Sequence, residues 1–166
     1  MNIQEVKRLH ELAVAKDFAK HISTSKNKYD VIETPDPPDA ILKSQRDQTL
    51  WIEITDIFRS KEEAREVYSY ASGGDYTRPQ SVIVEPDLQV SNKTIEGVER
   101  KINKESYQNA LSNYGKGILI LWIYDPLFSN TTLEGIKDTF KGSSLSSEYF
   151  DQVFIKLFED DWELTG

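Results

Sequence analysis

The sequence predicts a single α/β domain in which a central mixed β-sheet is flanked by helices. Apolar residues recur at helical spacing over residues 3–22, which predicts an amphipathic first helix. Residues 50–58 alternate apolar and polar side chains over most of their length, which is typical of a β-strand. Residues 118–124 are apolar throughout, which favours a strand covered on both faces. A length of 166 residues suits one domain built around one core.

Shorter segments complete the predicted order of elements. The prolines within residues 34–39 exclude a helix and keep the backbone extended, and the polar residues 44–48 predict a hairpin loop. Further helices are predicted at 61–71, 94–114 and about 133–140, and further strands at 29–34, 40–43, 81–84 and 152–158. The main order is a helix, three strands, two helices, a strand, a short helix and a last strand.

The composition excludes several classes of protein. There are no cysteines, so disulfides, thiolate metal sites and a cysteine nucleophile are excluded. The first 18 residues are charged throughout and lack the apolar segment of a signal peptide. The longest apolar run, residues 118–124, is too short to cross a bilayer. We therefore expect a soluble, cytoplasmic protein with no membrane partner.

The charge of the chain is unevenly distributed. The net charge of −8 argues against a protein that coats nucleic acid, because phosphate binding needs lysine and arginine. Residues 1–28 nevertheless carry six basic and three acidic side chains, a net charge of +3, whereas residues 148–166 carry one basic and six acidic, a net charge of −5. Two interpretations stay open: a basic face on an acidic protein, or a solvated helix face followed by an acidic end.

A pair of carboxylates is the strongest candidate for chemistry. Asp39 opens one predicted strand, and Glu53 lies inside the next, after thirteen intervening residues. Antiparallel strands joined near residues 44–48 would place the two carboxylates side by side. Both would stay ionised only with a cation between them, and hard oxygen ligands favour Mg²⁺ or Mn²⁺.

At these residues the sequence resembles the PD-(D/E)XK nuclease superfamily, which includes type II restriction enzymes and Holliday-junction resolvases. The resemblance rests on Pro35-Asp36-Pro37-Pro38-Asp39 followed by Glu53-Ile54-Thr55. It covers about residues 3–124 and implies a restriction-endonuclease-like α-β-β-β-α-β core with a helical insertion at about 59–92. It also implies metal-dependent hydrolysis of phosphodiester bonds in nucleic acid, with DNA favoured over RNA.

The resemblance assigns roles to individual positions of this chain. Asp39 and Glu53 match the two acids of the motif, as metal ligands and catalytic residues. The backbone carbonyl of Ile54 would be a further metal ligand. Glu11, or with less support Glu5, matches the acidic residue that projects from the first helix of the family toward the metal.

One departure from the family pattern concerns the catalytic lysine. Thr55 stands where the family has a lysine, which helps to orient the water and neutralises charge at phosphorus. Some members place this lysine on the following helix. Within the predicted helix 94–114, Lys101, Lys104 and Gln108 would share one face. Lys104 is the predicted migrated cation, with Gln108 as its polar partner.

Other interpretations stay open. A superfamily member without catalysis would act as a binding or interaction domain, and its carboxylates would pair with protein groups; Thr55 and the negative net charge favour this. An unrelated α/β module would pair strands 50–58 and 118–124 in parallel and expose Glu53 to water. A homodimer through the 59–92 insertion is compatible with the sequence. Asp56 is predicted to cap the end of its strand, with a role as an acid behind the metal ligands as the alternative. His10 and His21 are predicted to be ordinary surface or boundary residues.

Overall fold

The computed structural model describes residues 2–58, 60–74, 86–124, 130–142, 147–156 and 162–165. The elements, in chain order, are α1 (Ile3–Ile22), β1 (Tyr29–Glu33), β2 (Ala40–Ser44), β3 (Thr49–Ile57), α2 (Lys61–Ala71), α3 (Pro86–Ile102), a 3₁₀ turn (Glu105–Tyr107), α4 (Gln108–Tyr114), β4 (Gly117–Ile123), α5 (Asn130–Gly142), β5 (Phe150–Lys156) and β6 (Trp162–Thr165). In these ranges no helix has the length and apolar character needed to cross a bilayer.

The strands form one mixed open sheet in the order β1-β2-β3-β4-β5-β6. Strand β2 runs antiparallel to both β1 and β3. Strand β4 lies parallel to β3 and to β5, and β6 returns antiparallel to β5. The predicted α/β class with a mixed sheet flanked by helices is therefore confirmed.

The two faces of the sheet bury separate hydrophobic clusters. Helix α1 covers one face in a cluster that includes Phe18, Leu42, Ile52 and Ile120. Helices α3, α4 and α5 cover the other face in a cluster that includes Val98, Ala110, Ile136, Trp51 and Leu119. Since alternate residues of a strand point to opposite faces, Glu53 lies on the α3 side of β3 and Asp56 on the α1 side.

The hairpin loop predicted at residues 44–48 is confirmed and has a local explanation. The backbone N–H of Ser44 donates to the carbonyl of Gln48 at 2.8 Å, and the Ser44 hydroxyl accepts from the backbone of Arg46 and Gln48. Asp47 has φ of +60°, a left-handed conformation that aspartate tolerates better than most residues. The loop sets the register in which Ala40 pairs with Ile52.

The single long helix predicted at residues 94–114 is wrong. Helix α3 begins eight residues earlier, at Pro86, because proline is well suited to the first turn of a helix. It ends at Ile102, Lys104 is extended, and the 3₁₀ turn and α4 follow. This break lets the ring of Tyr107 pack against Trp51, with 5.6 Å between ring centroids.

The end of the chain also differs from the prediction. The acidic end contributes a strand, β6, in which Trp162 pairs with Lys156 of β5. The Trp162 ring lies 5.1 Å from the ring of Phe18 on α1, and this apolar contact gives the acidic segment a buried side. The last strand predicted at 152–158 corresponds to β5, and the strand predicted at 81–84 lies outside the described residues.

Gly117 offers a test of the packing between β4 and β3. A Cβ at this position would overlap the indole ring of buried Trp51. We expect Gly117→Ala to lower the free energy of unfolding by about 1–3 kcal/mol, the usual cost of overpacking. Urea unfolding followed by tryptophan fluorescence measures the change.

Gly135→Ala is the matched control, because its added Cβ would meet only Ser91 Oγ, at 3.7 Å. This substitution should be neutral or stabilising by up to about 1 kcal/mol, since alanine favours a helix over glycine. Equal losses in the two variants would contradict the proposed packing.

Candidate functional site

Asp39 and Glu53 lie side by side where the β2–β3 hairpin opens. Extending the observed register by one residue beyond Ala40 and Ile52 places Asp39 opposite Glu53. The backbone N–H of Ile54 donates to Asp39 Oδ2 at 2.7 Å. Both side chains are buried, with exposed fractions of 8% for Asp39 and 4% for Glu53. The structure thus brings the two motif acids together in a place where a negative charge is costly.

The electrostatics of Asp39 follow from this placement. Burial, and then the negative charges of Glu53 and Glu11, raise the pKa of Asp39 to about 8. The Ile54 N–H and the ammonium of Lys101 act in the opposite direction but do not outweigh them. Asp39 therefore carries a proton at neutral pH, and any cation that binds there competes with that proton.

Lys101 supplies the positive charge next to Glu53. Its Nζ donates to Glu53 Oε1 in a short ion pair that is mostly sheltered from solvent. Gly97, one helical turn earlier on α3, allows this approach. A Cβ on Gly97 would lie 2.5 Å from Ile57 Cδ1 and 3.3 Å from Thr55 Cγ2. Glycine therefore lets α3 lie close to β3, and the close contact brings Lys101 to Glu53.

Three buried oxygens near this ion pair have no hydrogen-bond partner among the described residues: Glu53 Oε2, Thr55 Oγ1 and Tyr107 Oη. Burial, and then the charge of Glu53, raise the pKa of Tyr107, so its phenol lies close to the carboxylate although the pair falls outside hydrogen-bond geometry. A buried oxygen without a hydrogen-bond partner lowers the stability of the folded state. Glu53 Oε2 in particular is an acceptor ready for a cation or a donor.

Glu11 and Glu5 each have a partner near the start of α1. Glu11 pairs with Lys7 at 3.2 Å and lines, with Asp39, a cleft of about 480 Å³ beside α1. The carboxylate of Glu5 caps α1 by accepting from the backbone of Asn2 at 2.9 Å. Within the part of the chain that the structure describes, no three acidic or histidine side chains form a group that could hold a metal. After burial and the charge of Glu53, the charge of Glu11 is also close enough to raise the pKa of Asp39, and the role of Glu11 as a third metal ligand stays a prediction.

The predicted helix face of Lys101, Lys104 and Gln108 is wrong, because α3 ends at Ile102. Lys104 lies in the turn after the helix, Gln108 begins α4, and both are exposed. Of the two lysines, Lys101 is the one that contacts Glu53. A sequence signal that could have indicated Lys101 is Gly97, since its missing side chain lets α3 lie close to Ile57 and Thr55 of β3.

A second polar cluster was missed in the sequence. Asp56 lies within β3 rather than at its end, and its carboxylate contacts His10 Nε2 at 2.9 Å and accepts from the Tyr68 hydroxyl. Burial opposes protonation of His10, but the hydrogen bond and charge of Asp56 together raise its pKa. The His10 ring also packs edge-on against Trp122. These contacts fix α1 against β3 next to Glu11.

The alternative of an unrelated α/β module made two structural predictions, and the structure agrees with one of them. Strands β3 and β4 do pair in parallel, as that interpretation expects. Glu53, however, is buried against Lys101 instead of facing water.

No protein-family model matches this chain, and neither a curated protein nor a solved structure does. Function must therefore be inferred from the residues themselves.

The raised pKa of Asp39 predicts a pH-dependent stability. An unfolded aspartate has a pKa of about 3.9, so between about pH 4 and pH 8 the folded state binds one proton more than the unfolded state. Stability should therefore fall as pH rises through this window, by at most about 1.4 kcal/mol per pH unit. Asp39→Asn should remove this component, which urea unfolding at pH 5, 6.5 and 8 measures.

Asp30→Asn is the control, because Asp30 is exposed on β1. This variant should keep the parental slope of stability against pH. If Asp39→Asn also kept that slope, the assignment of the buried proton to Asp39 would be wrong.

Proposed function

We propose that this protein hydrolyses phosphodiester bonds of nucleic acid with a divalent metal, Mg²⁺ or Mn²⁺, on a restriction-endonuclease-like core. The observation that carries the proposal is the buried pair Asp39 and Glu53 with the ammonium of Lys101 beside it. Two adjacent buried carboxylates beside one lysine can both be ionised only at a high cost, which is why the pKa of Asp39 is raised. Such perturbed groups cluster at functional sites.

The order of elements supports the same proposal. Helix α1 is followed by the antiparallel strands β1, β2 and β3, then by α3, and then by β4 parallel to β3. Helices α1 and α3 cover opposite faces of the sheet. This is the order that the resemblance to the PD-(D/E)XK superfamily implies, with α2 in the predicted insertion.

The residues present fit a magnesium-type ion. Asp39, Glu53 and the Ile54 carbonyl would hold it, since Mg²⁺ is commonly bound through one or two carboxylates together with substrate phosphates. The Ile54 N–H points to Asp39, and in an antiparallel ladder the N–H and C=O of a residue face the same neighbour. The unpartnered Glu53 Oε2 is a further acceptor. When bound, the ion would polarise a phosphoryl oxygen and lower the pKa of a water molecule.

The side chains around the pair have distinct tasks in this proposal. Asp39 would release its proton when the divalent ion binds. Lys101 provides from α3 the cation that the family motif would place at Thr55, and its ammonium can stabilise the charge that develops on the phosphate. Tyr107 excludes water from the α3 side of Glu53 because its ring is buried there.

Metal binding should depend on both carboxylates and on pH. We expect Mn²⁺ to bind the parent protein and to bind Glu53→Gln at least tenfold more weakly, as measured by isothermal titration. Because Asp39 has a pKa of about 8, the affinity should rise between pH 6 and pH 8 with the release of a proton. Glu99→Gln, an exposed change on α3, is the control and should bind as the parent does. Equal binding by all three proteins would refute the site.

Cleavage should depend on Lys101 and not on Lys104. In a nicking assay with Mg²⁺ or Mn²⁺ on plasmid, single-stranded DNA and RNA, we expect Lys101→Ala to lose about 10²–10³-fold in kcat, typical of a lost charge-stabilising donor. Lys104→Ala should stay within about threefold of the parent, because its side chain is exposed beyond the end of α3. The opposite ranking would restore Lys104 as the migrated cation.

A binding or interaction domain without catalysis is the second candidate. It is favoured by the protein partner that each acid already has: the Ile54 N–H for Asp39, Lys101 for Glu53 and Lys7 for Glu11. Thr55 in place of the motif lysine favours it as well. This candidate would be supported if the folded parent protein binds nucleic acid but neither binds Mn²⁺ nor nicks any substrate.

A further inference from the structure

We propose that the seam between α1 and β1 is the track of a nucleic-acid strand, in which Lys16, Lys20 and Lys28 bind phosphate groups. The inference rests on the proposed function, because the same seam leads to Asp39. It assigns a separate binding site whose ligand is the phosphodiester backbone of DNA or RNA.

Two clefts follow this seam end to end. The first, of about 480 Å³, is the acidic one, lined by Glu5, Arg8, Leu9, Glu11 and Leu12 of α1 and by Thr34, Asp36 and Asp39 beyond β1. The second, of about 590 Å³, is lined by Lys16, Ala19 and Lys20 of α1, by residues 23–25 and Lys28, and by residues 29–31 of β1. Because β1 runs back along α1, the two clefts lie on one line with Asp39 at one end and the lysines at the other.

The spacing along α1 suits a strand. Arg8, Leu12, Lys16 and Lys20 recur every four residues and so form one ridge of the helix. At a rise of about 1.5 Å per residue, Lys20 lies about 13 Å along the axis from Glu11. Lys16 and Lys20, one turn apart, are separated by about 6 Å along the axis, so their ammonium groups can bind successive phosphates of one strand.

The charge of the second cleft stands out on this protein. The chain carries a net charge of −8, yet Lys16, Lys20 and Lys28 converge on a cleft where Asp30 is the one acidic residue of the lining. Within the described ranges, none of these three lysines takes part in an ion pair. The helix dipole explains only Lys20, which lies in the last turn of α1. Lys16 and Lys28 lie outside that turn and need another explanation.

The turn that presents Lys28 is held in place before any ligand binds. Thr24 and Asn27 exchange backbone hydrogen bonds of 2.9 and 3.3 Å. The Ser23 hydroxyl donates to the Ala19 carbonyl and accepts from the Tyr29 N–H, which ties the end of α1 to the start of β1. Lysines on fixed backbone lose less entropy when they bind phosphate than lysines on a mobile loop.

The test measures nucleic-acid binding without cleavage. The protein is titrated into a labelled 20-nucleotide single-stranded DNA in the presence of EDTA. RNA of the same sequence and duplex DNA are titrated in parallel, which shows which kind of nucleic acid binds. The variant combines Lys16→Ala, Lys20→Ala and Lys28→Ala. The control combines Lys61→Ala, Lys93→Ala and Lys141→Ala. It has the same net charge as the seam variant, but its substituted lysines lie away from the seam. Urea unfolding checks that both fold as the parent does.

We expect the seam variant to bind at least tenfold more weakly in at least one arm, whereas the control stays within about twofold. For single strands, the slope of log Kd against log salt should fall by about 2, at about 0.7 for each phosphate that the variant no longer binds. Equal weakening in both variants, no weakening in the seam variant, or no binding by the parent would each overturn the inference.

Mn²⁺ titration of the same proteins separates this inference from the proposed hydrolysis. The seam variant should keep parental Mn²⁺ affinity, because its lysines lie away from Glu53. If the parent binds nucleic acid more tightly than the seam variant but never nicks it, the track is supported and the proposed hydrolysis is rejected. Nicking that the seam variant retains in full, with unchanged binding, would reject the track alone.

Discussion

The hydrogen bond from the Ile54 N–H to Asp39 Oδ2 holds the start of β2 against β3, and the rest of the candidate site depends on it. It keeps Asp39 opposite Glu53 although β2 itself begins one residue later. Two carboxylates so placed repel each other in a poorly solvated environment. The protein meets this cost with a proton on Asp39 and an ammonium at Glu53.

The position of that ammonium is a consequence of helix packing. α3 lies close to β3 because Gly97 has no side chain to hold it away from Ile57 and Thr55. Lys101 follows one turn later and therefore reaches the strand acid from the opposite element. The break after Ile102 completes this side of the site, since it turns Tyr107 inward.

Helix α1 serves the other side of the same strands. Its contacts through His10 to Asp56 and Trp122 fix its rotation, and Glu11 on the next position then faces the cleft that Asp39 lines. The ridge that continues along α1 to Lys16 and Lys20 carries positive charge away from this acidic end. Along this seam, the charge therefore changes from the acidic side chains at one end to the lysines at the other.

The sequence by itself determined the α/β class, the hairpin at residues 44–48, the strands at residues 50–58 and 118–124, and the nearness of Asp39 to Glu53. These features are local or follow from side-chain periodicity and one short loop. Tertiary structure alone decided that α3 ends at Ile102, that Lys101 and not Lys104 meets Glu53, that His10 pairs with Asp56, and that the acidic end forms β6. The physical reason is that each of these depends on contacts between elements far apart in the chain, such as Tyr107 against Trp51 and Trp162 against Phe18. No periodicity within one segment records those contacts.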